Sequence, residues 1–348
     1  MNEFPSIFEM PRPSDFHVHL RQGHMLKTVV PYTADLCQYA IVMPNTLPPI
    51  LDANDTLTYR EEIMNAVGER EFTPLMTFKI TDKTTPAQVC ELHRIGAIAG
   101  KLYPEGVTTN SSDGVTDLDA LKPVFTQMEI LNMVLCIHAE SPGITTFERE
   151  EHFLKNVVYQ IIDTLPKLRV VIEHVSTKYG VNFVKQCSKY HTIAATITAH
   201  HMEYTLDDIV GGTLNPHAFC KPVCKTADDR DALREAAFFH PAFFFGSDSA
   251  PHSHLNKHES GAAGVFSAPT ALPYLIELFG PDRFDQLVEF TSKRGCDFYQ
   301  VPQTNSKVTV KSEEHTVEPI HHFDITPQRV LTPFLNGKTL KYKVRPNV

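Results

Sequence analysis

Eight short runs rich in apolar and β-branched residues recur along the chain, and longer stretches of helical period separate them; no other feature limits the fold as strongly. The runs fall at 15–19, 39–45, 72–80, 98–104, 133–140, 169–176, 192–201 and 243–252. Between them, segments such as 55–70, 118–131, 147–165 and 228–239 carry apolar residues every three or four positions, as a helix with one buried face does. Eight such units predict an α/β protein closed into a (β/α)8 TIM barrel, with an open doubly wound sheet as the competing arrangement. No linker or low-complexity tract divides the chain, and 348 residues with 42% hydrophobic content suit one barrel-sized domain spanning 1–348. After the eighth run come helical stretches at 270–279 and 284–299 and a β-like run at 307–317. Residues 302–348 are too short for a core of their own, and we expect them to pack on the barrel as a C-terminal extension.

Charge narrows the partners. A formal net charge of -9 and a pI near 6.0 argue against nucleic acid or a membrane surface as ligand, because polyanions need a basic face. Small polar substrates remain. The seven cysteines show no framework spacing and read as reduced thiols. Cys220 and Cys224 are the closest pair, but without a second pair nearby they do not predict a zinc ligand set. Residues 1–12 lack a basic region followed by an apolar core, and no apolar run approaches a membrane span, so a cytoplasmic location is expected.

A barrel places its reactive side chains at the C-terminal ends of the strands. The first run ends in His17, His19 and Arg21; the fourth contains Lys101; the fifth ends His138-Ala139-Glu140; the sixth reaches Glu173-His174; the eighth contains Ser247-Asp248-Ser249. One histidine at a strand end is commonplace, but four histidines, a lysine and an aspartate at the same end of five strands point to a metal centre. His17 and His19 would share one face of their strand and form half of such a site. Lys101 stands apart, since an ammonium has no lone pair for a metal and is costly to bury alone. A neighbouring carboxylate could pair with it, or the deprotonated amine could take up carbon dioxide as a carbamate; spacing leaves both open.

The stretches His17-Val18-His19-Leu20-Arg21, Met43-Pro44-Asn45-Thr46, Gly100-Lys101-Leu102-Tyr103, Ile137-His138-Ala139-Glu140, Glu173-His174-Val175-Ser176 and Gly246-Ser247-Asp248-Ser249-Ala250-Pro251-His252 resemble the monofunctional bacterial and fungal dihydroorotases of the amidohydrolase superfamily. The resemblance spans residues 12 to about 300. It implies a barrel with two Zn2+ that interconverts N-carbamoyl-L-aspartate and L-dihydroorotate in de novo pyrimidine (UMP) biosynthesis. His17, His19 and Asp248 would hold one metal, His138 and His174 the other, and carbamylated Lys101 would bridge them. The resemblance also implies a substrate α-carboxylate held by Arg21, Asn45 and His252, with His19 and His138 also reaching the substrate. Thr108 and Thr109 would close over it from the loop at 105–114, and Lys221 and Ala263 would contact the ring through their backbones. Lys221 departs from the bacterial pattern, which has an apolar residue there. A homodimer is implied as well. His200 and His201, at the end of the seventh run, are candidates for orienting ligands, with a purely structural role as the competing reading; His321 and His322 are expected to be structural or solvated.

Two divalent ions about 3.5–4 Å apart would lower the pKa of a bridging water and polarise an amide oxygen. The resulting hydroxide would be the nucleophile, and Asp248 would move the proton as general acid and base. Two other readings compete: a hydantoinase or allantoinase sharing the metals but not the carboxylate clamp, and a catalytically silent homologue serving as a scaffold.

Overall fold

The computed structural model describes residues 3–108, 111, 114–321 and 330–347; Thr109 and His322 lie outside the described residues. Eight parallel strands form one sheet in chain order: β2 (Asp15–Val18), β3 (Tyr39–Val42), β4 (Thr73–Ile80), β5 (Ala99–Leu102), β6 (Val134–Ile137), β7 (Arg169–Ile172), β8 (Ile193–Ile197) and β9 (Phe243–Phe245). The first and last meet. Asp248 N–H donates to His17 O at 2.9 Å, His19 N–H donates to Ser249 O at 3.0 Å, and Val18 bridges Ser249 in parallel. These bonds close the sheet and decide between the two expected architectures in favour of the barrel.

Every strand except β4, which ends with its run at Ile80, stops before its apolar run does, because the polar residues that follow turn out of the ladder towards the barrel mouth. His174 and Asp248 do so with left-handed backbones, φ 40° and 42°, which a non-glycine residue adopts only at some cost. In the seventh run β8 stops at Ile197, and His200 and His201 sit in a short helix, Ala199–Glu203, capped by Thr198.

The barrel interior is filled by alternate strand residues, among them Phe16, Ile41, Leu75, Ala99, Val134, Cys136, Val171, Ala194 and Phe244. Helix Arg294–Tyr299 closes the end where the strands begin: Tyr299 stacks on Phe16 with ring centroids 5.3 Å apart, and a Cβ at Gly295 would collide with the Phe16 ring. The opposite end is left to polar side chains. Outside the barrel, helices turn their apolar stripes to the strands, as Lys122–Ile130 does with Val124, Phe125 and Met128. Side-chain caps set several helix starts. Helix Ala53–Val67 begins two residues before the expected 55 because Asp52 accepts from Asp55 N–H at 3.0 Å, and Thr226 and Asp229 form a capping box on helix Ala227–Phe239.

A second, antiparallel sheet joins the two termini in the order β1 (Ile7–Pro11), β10 (Lys307–Thr316), β11 (Thr339–Pro346). The sequence reading foresaw only β10. Phe4, Phe8 and Tyr342 gather against Phe284, so this sheet buries an aromatic face on the barrel helices. Among the described residues, no helix is long and apolar enough to cross a membrane.

Candidate active site

The seam that closes the barrel also assembles half of the site. Parallel pairing sets His17 and His19 beside Asp248, whose Oδ1 lies 3.3 Å from His17 Nε2 and 3.1 Å from His19 Nε2. Gly246 permits this approach, since a Cβ there would fall 2.9 Å from His17 Cβ and from Thr196. Buried Asp15 fixes the seam from below, accepting from Ser247 N–H at 2.8 Å and from the Ser247 hydroxyl at 2.6 Å. From the next strands around, His138 Nδ1 faces His174 Nε2 at 3.2 Å, and the His17 and His174 rings are 5.0 Å apart.

Each half has a buried carboxylate behind a histidine. His17 Nδ1 bonds Glu173 Oε2 at 2.7 Å, which turns Nε2 inward; His138 Nε2 bonds Glu140 Oε2 at 2.8 Å, which turns Nδ1 inward. Lys101 is fully buried, and its Nζ makes no hydrogen bond; it lies 5.0 Å from the centroid of the Tyr103 ring. His17 Nε2, His174 Nδ1, Glu173 Oε1 and the Tyr103 hydroxyl are likewise buried without a hydrogen-bond partner. Such a concentration of orphaned polar atoms is costly in an ordinary core and is what a set of metal ligands presents. His17, His19 and Asp248 converge closely enough to hold one ion.

Electrostatics set the protonation states. Burial opposes ionisation of Asp248, yet His17, His19 and His174 hold its carboxyl well below the usual carboxylate range. Burial pushes His19 down to about 4 and pulls the Lys101 ammonium below the usual lysine value. Burial also lowers Arg21 to about 10, which leaves it cationic at neutrality.

A pocket of about 370 Å³ opens over this cluster, lined by His17, His19, Arg21, Asn45, Tyr103, Thr108, His138, His174, Lys221, Asp248, Ala250, Ala263 and Gly264. Every expected site residue that is described lines it, except Lys101, buried among the strands, and His252. His252 lies behind Arg21 in an adjoining cavity that shares His19, Arg21 and Asn45 with the first. Arg21 donates from Nε to Pro251 O at 2.9 Å and from Nη2 to His252 Nε2 at 3.0 Å, and the same imidazole nitrogen is 3.0 Å from Ala263 O. These contacts aim the guanidinium from a left-handed residue, φ 60°.

No protein-family model matches the chain. It is 41% identical over 340 residues to the mitochondrial dihydroorotase of Arabidopsis thaliana, covering 95% of this chain and 89% of that protein. The chain belongs to the dihydroorotase family. Two solved dihydroorotases share its fold over nearly their whole length. The Saccharomyces cerevisiae enzyme, in complex with 5-fluoroorotic acid, has a TM-score of 0.91 at 32% identity, covering 99% of this chain and 100% of that one. The Campylobacter jejuni enzyme has a TM-score of 0.89 at 35% identity, covering 99% of each chain.

Within this dihydroorotase framework, the candidate orienting role of His200 and His201 is not what the structure shows. His200 and His201 contact none of the four strand-end histidines among the described residues. His201 instead bonds Thr198 Oγ1 at 2.8 Å and Pro222 O at 2.9 Å, bracing the segment after Lys221. The orienting partners are Glu173 and Glu140, whose signal was a carboxylate next to, or two residues from, a strand-end histidine. Tyr103 and Lys257 were also missed. Lys257 Nζ donates to Phe219 O, Ala262 O and Gly264 O at 2.9, 2.9 and 2.8 Å, tying together the two segments that bring Lys221 and Ala263 to the pocket. A lysine on a short polar helix carries no sequence signal for such burial.

Proposed function

We propose that this chain catalyses the reversible cyclisation of N-carbamoyl-L-aspartate to L-dihydroorotate in de novo pyrimidine synthesis. The observation that carries the reading is the convergence of two imidazole pairs and Asp248 on one pocket that also holds the Arg21 guanidinium, with Lys101 buried among the same strands and its Nζ without a hydrogen bond. The 5-fluoroorotic acid bound by the yeast relative, a carboxylated pyrimidine ring, supports a ligand of the same chemistry here.

The residues present fit two zinc ions. His17 Nε2, His19 Nε2 and Asp248 would hold one, His138 Nδ1 and His174 Nε2 the other, and Lys101 as its carbamate would supply an oxygen to each. Burial favours the neutral amine at Lys101, the form whose lone pair can bond the carbon of carbon dioxide and then lose a proton. When bound, the pair supplies Lewis-acid polarisation of an amide carbonyl and a water of lowered pKa. Asp248 is ionised at neutrality and so accepts the proton of the attacking water during ring opening. It returns that proton to the departing ring nitrogen, and cyclisation runs the same transfers in reverse. Arg21, with Asn45 and His252 beside it, binds the α-carboxylate in a planar fork. Thr108, the backbones of Lys221 and Ala263, and the imidazoles of His19 and His138 border the ring. A hydantoin or allantoin carries no such carboxylate, so the clamp disfavours both.

The test is a substrate panel on protein loaded with zinc and bicarbonate: L-dihydroorotate, hydantoin and allantoin, each followed for ring opening. Dihydroorotate alone should react; preference for either of the others would replace this reading with the hydantoinase or allantoinase type, and inertness at full metal occupancy with the silent scaffold. A cytoplasmic location and a homodimer complete the proposal, tested by cell fractionation and by sedimentation of the purified chain.

A further inference from the structure

Three histidines that take no part in the pocket meet on the surface beside it. His217 comes from the turn Pro216–Ala218, and His254 and His258 stand one turn apart on the helix His254–Glu259. The Nε2 atoms of His217 and His258 are 3.4 Å apart, and each of the three rings offers a nitrogen within 4.8 Å of the others. Ring centroids are separated by 5.5 Å for His217 and His254, 5.3 Å for His217 and His258, and 4.0 Å for His254 and His258. His254 and His258 are exposed and His217 half-buried, so solvent reaches the group.

The geometry points to a further metal site: we infer that His217, His254 and His258 bind one divalent transition-metal ion of the imidazole-preferring class, separate from the catalytic centre. Two nitrogens bonded to one tetrahedral zinc at about 2.0–2.1 Å lie about 3.3 Å apart, close to the His217 to His258 separation. Positions i and i+4 of a helix share a face, which gives the other two rings a common direction. An all-imidazole donor set selects zinc, nickel or copper over magnesium or calcium, which require oxygen ligands. Burial first, then the neighbouring cations, holds His217 at about 4, so its ring is neutral and available at physiological pH. The bound ion would join the segment leading to Lys221 to the one carrying His252 and Ala263, adding a link to those Lys257 already makes between them.

The experiment titrates Ni2+ by calorimetry into protein loaded with two zinc ions per chain and freed of excess zinc. Wild type should take up one equivalent, and both the His254→Ala/His258→Ala double variant and His217→Ala, drawn from different segments, should weaken that binding at least about 10-fold while still turning over L-dihydroorotate. Equal Ni2+ affinity in wild type and both variants, or no Ni2+ uptake by wild type, would overturn the inference. A measurement on wild type alone guards against misfolded variants: substoichiometric Cu2+ on the zinc-loaded protein should give an electron paramagnetic resonance spectrum with three coupled nitrogens, and fewer than three would contradict the site.

Discussion

His17 Nδ1 and Glu173 Oε2 are 2.7 Å apart, and both side chains are buried. This bond fixes which imidazole nitrogen faces Asp248, so on the proposed ligand set Glu173 would act on a metal ligand rather than on substrate. Glu173→Gln should therefore weaken zinc binding about 10- to 100-fold, with the fold retained. Metal content after dialysis against a graded chelator, alongside circular dichroism, checks it. Undiminished metal retention would remove Glu173 from the account.

Arg21 reaches the pocket with its Nε and Nη2 already committed to Pro251 O and His252 Nε2. The guanidinium is thus aimed before a carboxylate arrives. Arg21→Ala should lower kcat/KM for L-dihydroorotate by about 10- to 100-fold, the equivalent of one charged hydrogen-bonding pair, with bound zinc unchanged. Arg21→Lys should recover only part of that loss, because a point charge does not reproduce the fork. Steady-state kinetics on the two variants decides between a clamp and a structural arginine.

Asp15 ties the seam between β2 and β9, and burial raises its carboxyl from 3.8 to about 6. The folded chain therefore holds this proton more tightly than the unfolded chain does. Its contribution to stability is full below pH 3.8 and is lost as pH rises through about 6. Relative to Asp15→Asn, wild type should lose on the order of 3 kcal/mol between those limits. Urea denaturation of both proteins across pH 4–6 measures the difference; parallel curves would mean that Asp15 is ionised throughout.

Gly295 faces the Phe16 ring at the closed end of the barrel, where an added Cβ has no room. Gly295→Ala should cost about 1–3 kcal/mol through overpacking, far from the pocket. A lowered denaturation midpoint with kcat preserved is the expected result. No change in midpoint would show that the closing helix shifts freely.

The barrel was legible because its two periods differ: short apolar runs and helical stripes alternate often enough to be counted, and the candidate site residues stand at the same end of five of the eight runs. Strand lengths were not, because an apolar run continues past the last paired residue; His200 and His201 extend their run but lie in a helix. β11 carried a readable alternation of Leu340, Tyr342 and Val344, whereas β1 is a five-residue edge strand ending in proline and shows too little pattern to register. Glu173 was visible beside His174, but nothing local shows that it serves His17 across 156 positions, and the three carbonyls around Lys257 leave no local trace at all.

We propose that the buried Lys101 and its surrounding imidazoles build the centre at which the dihydroorotate ring is opened. The most direct test is the rate of L-dihydroorotate ring opening, with zinc counted in the same samples, for wild type and Lys101→Ala reconstituted with zinc and bicarbonate. Wild type should show rapid turnover and two zinc ions per chain, and the variant should lose both activity and bound metal. A variant that keeps two zinc ions and normal turnover, or a fully loaded wild type that leaves L-dihydroorotate intact, would contradict the proposal.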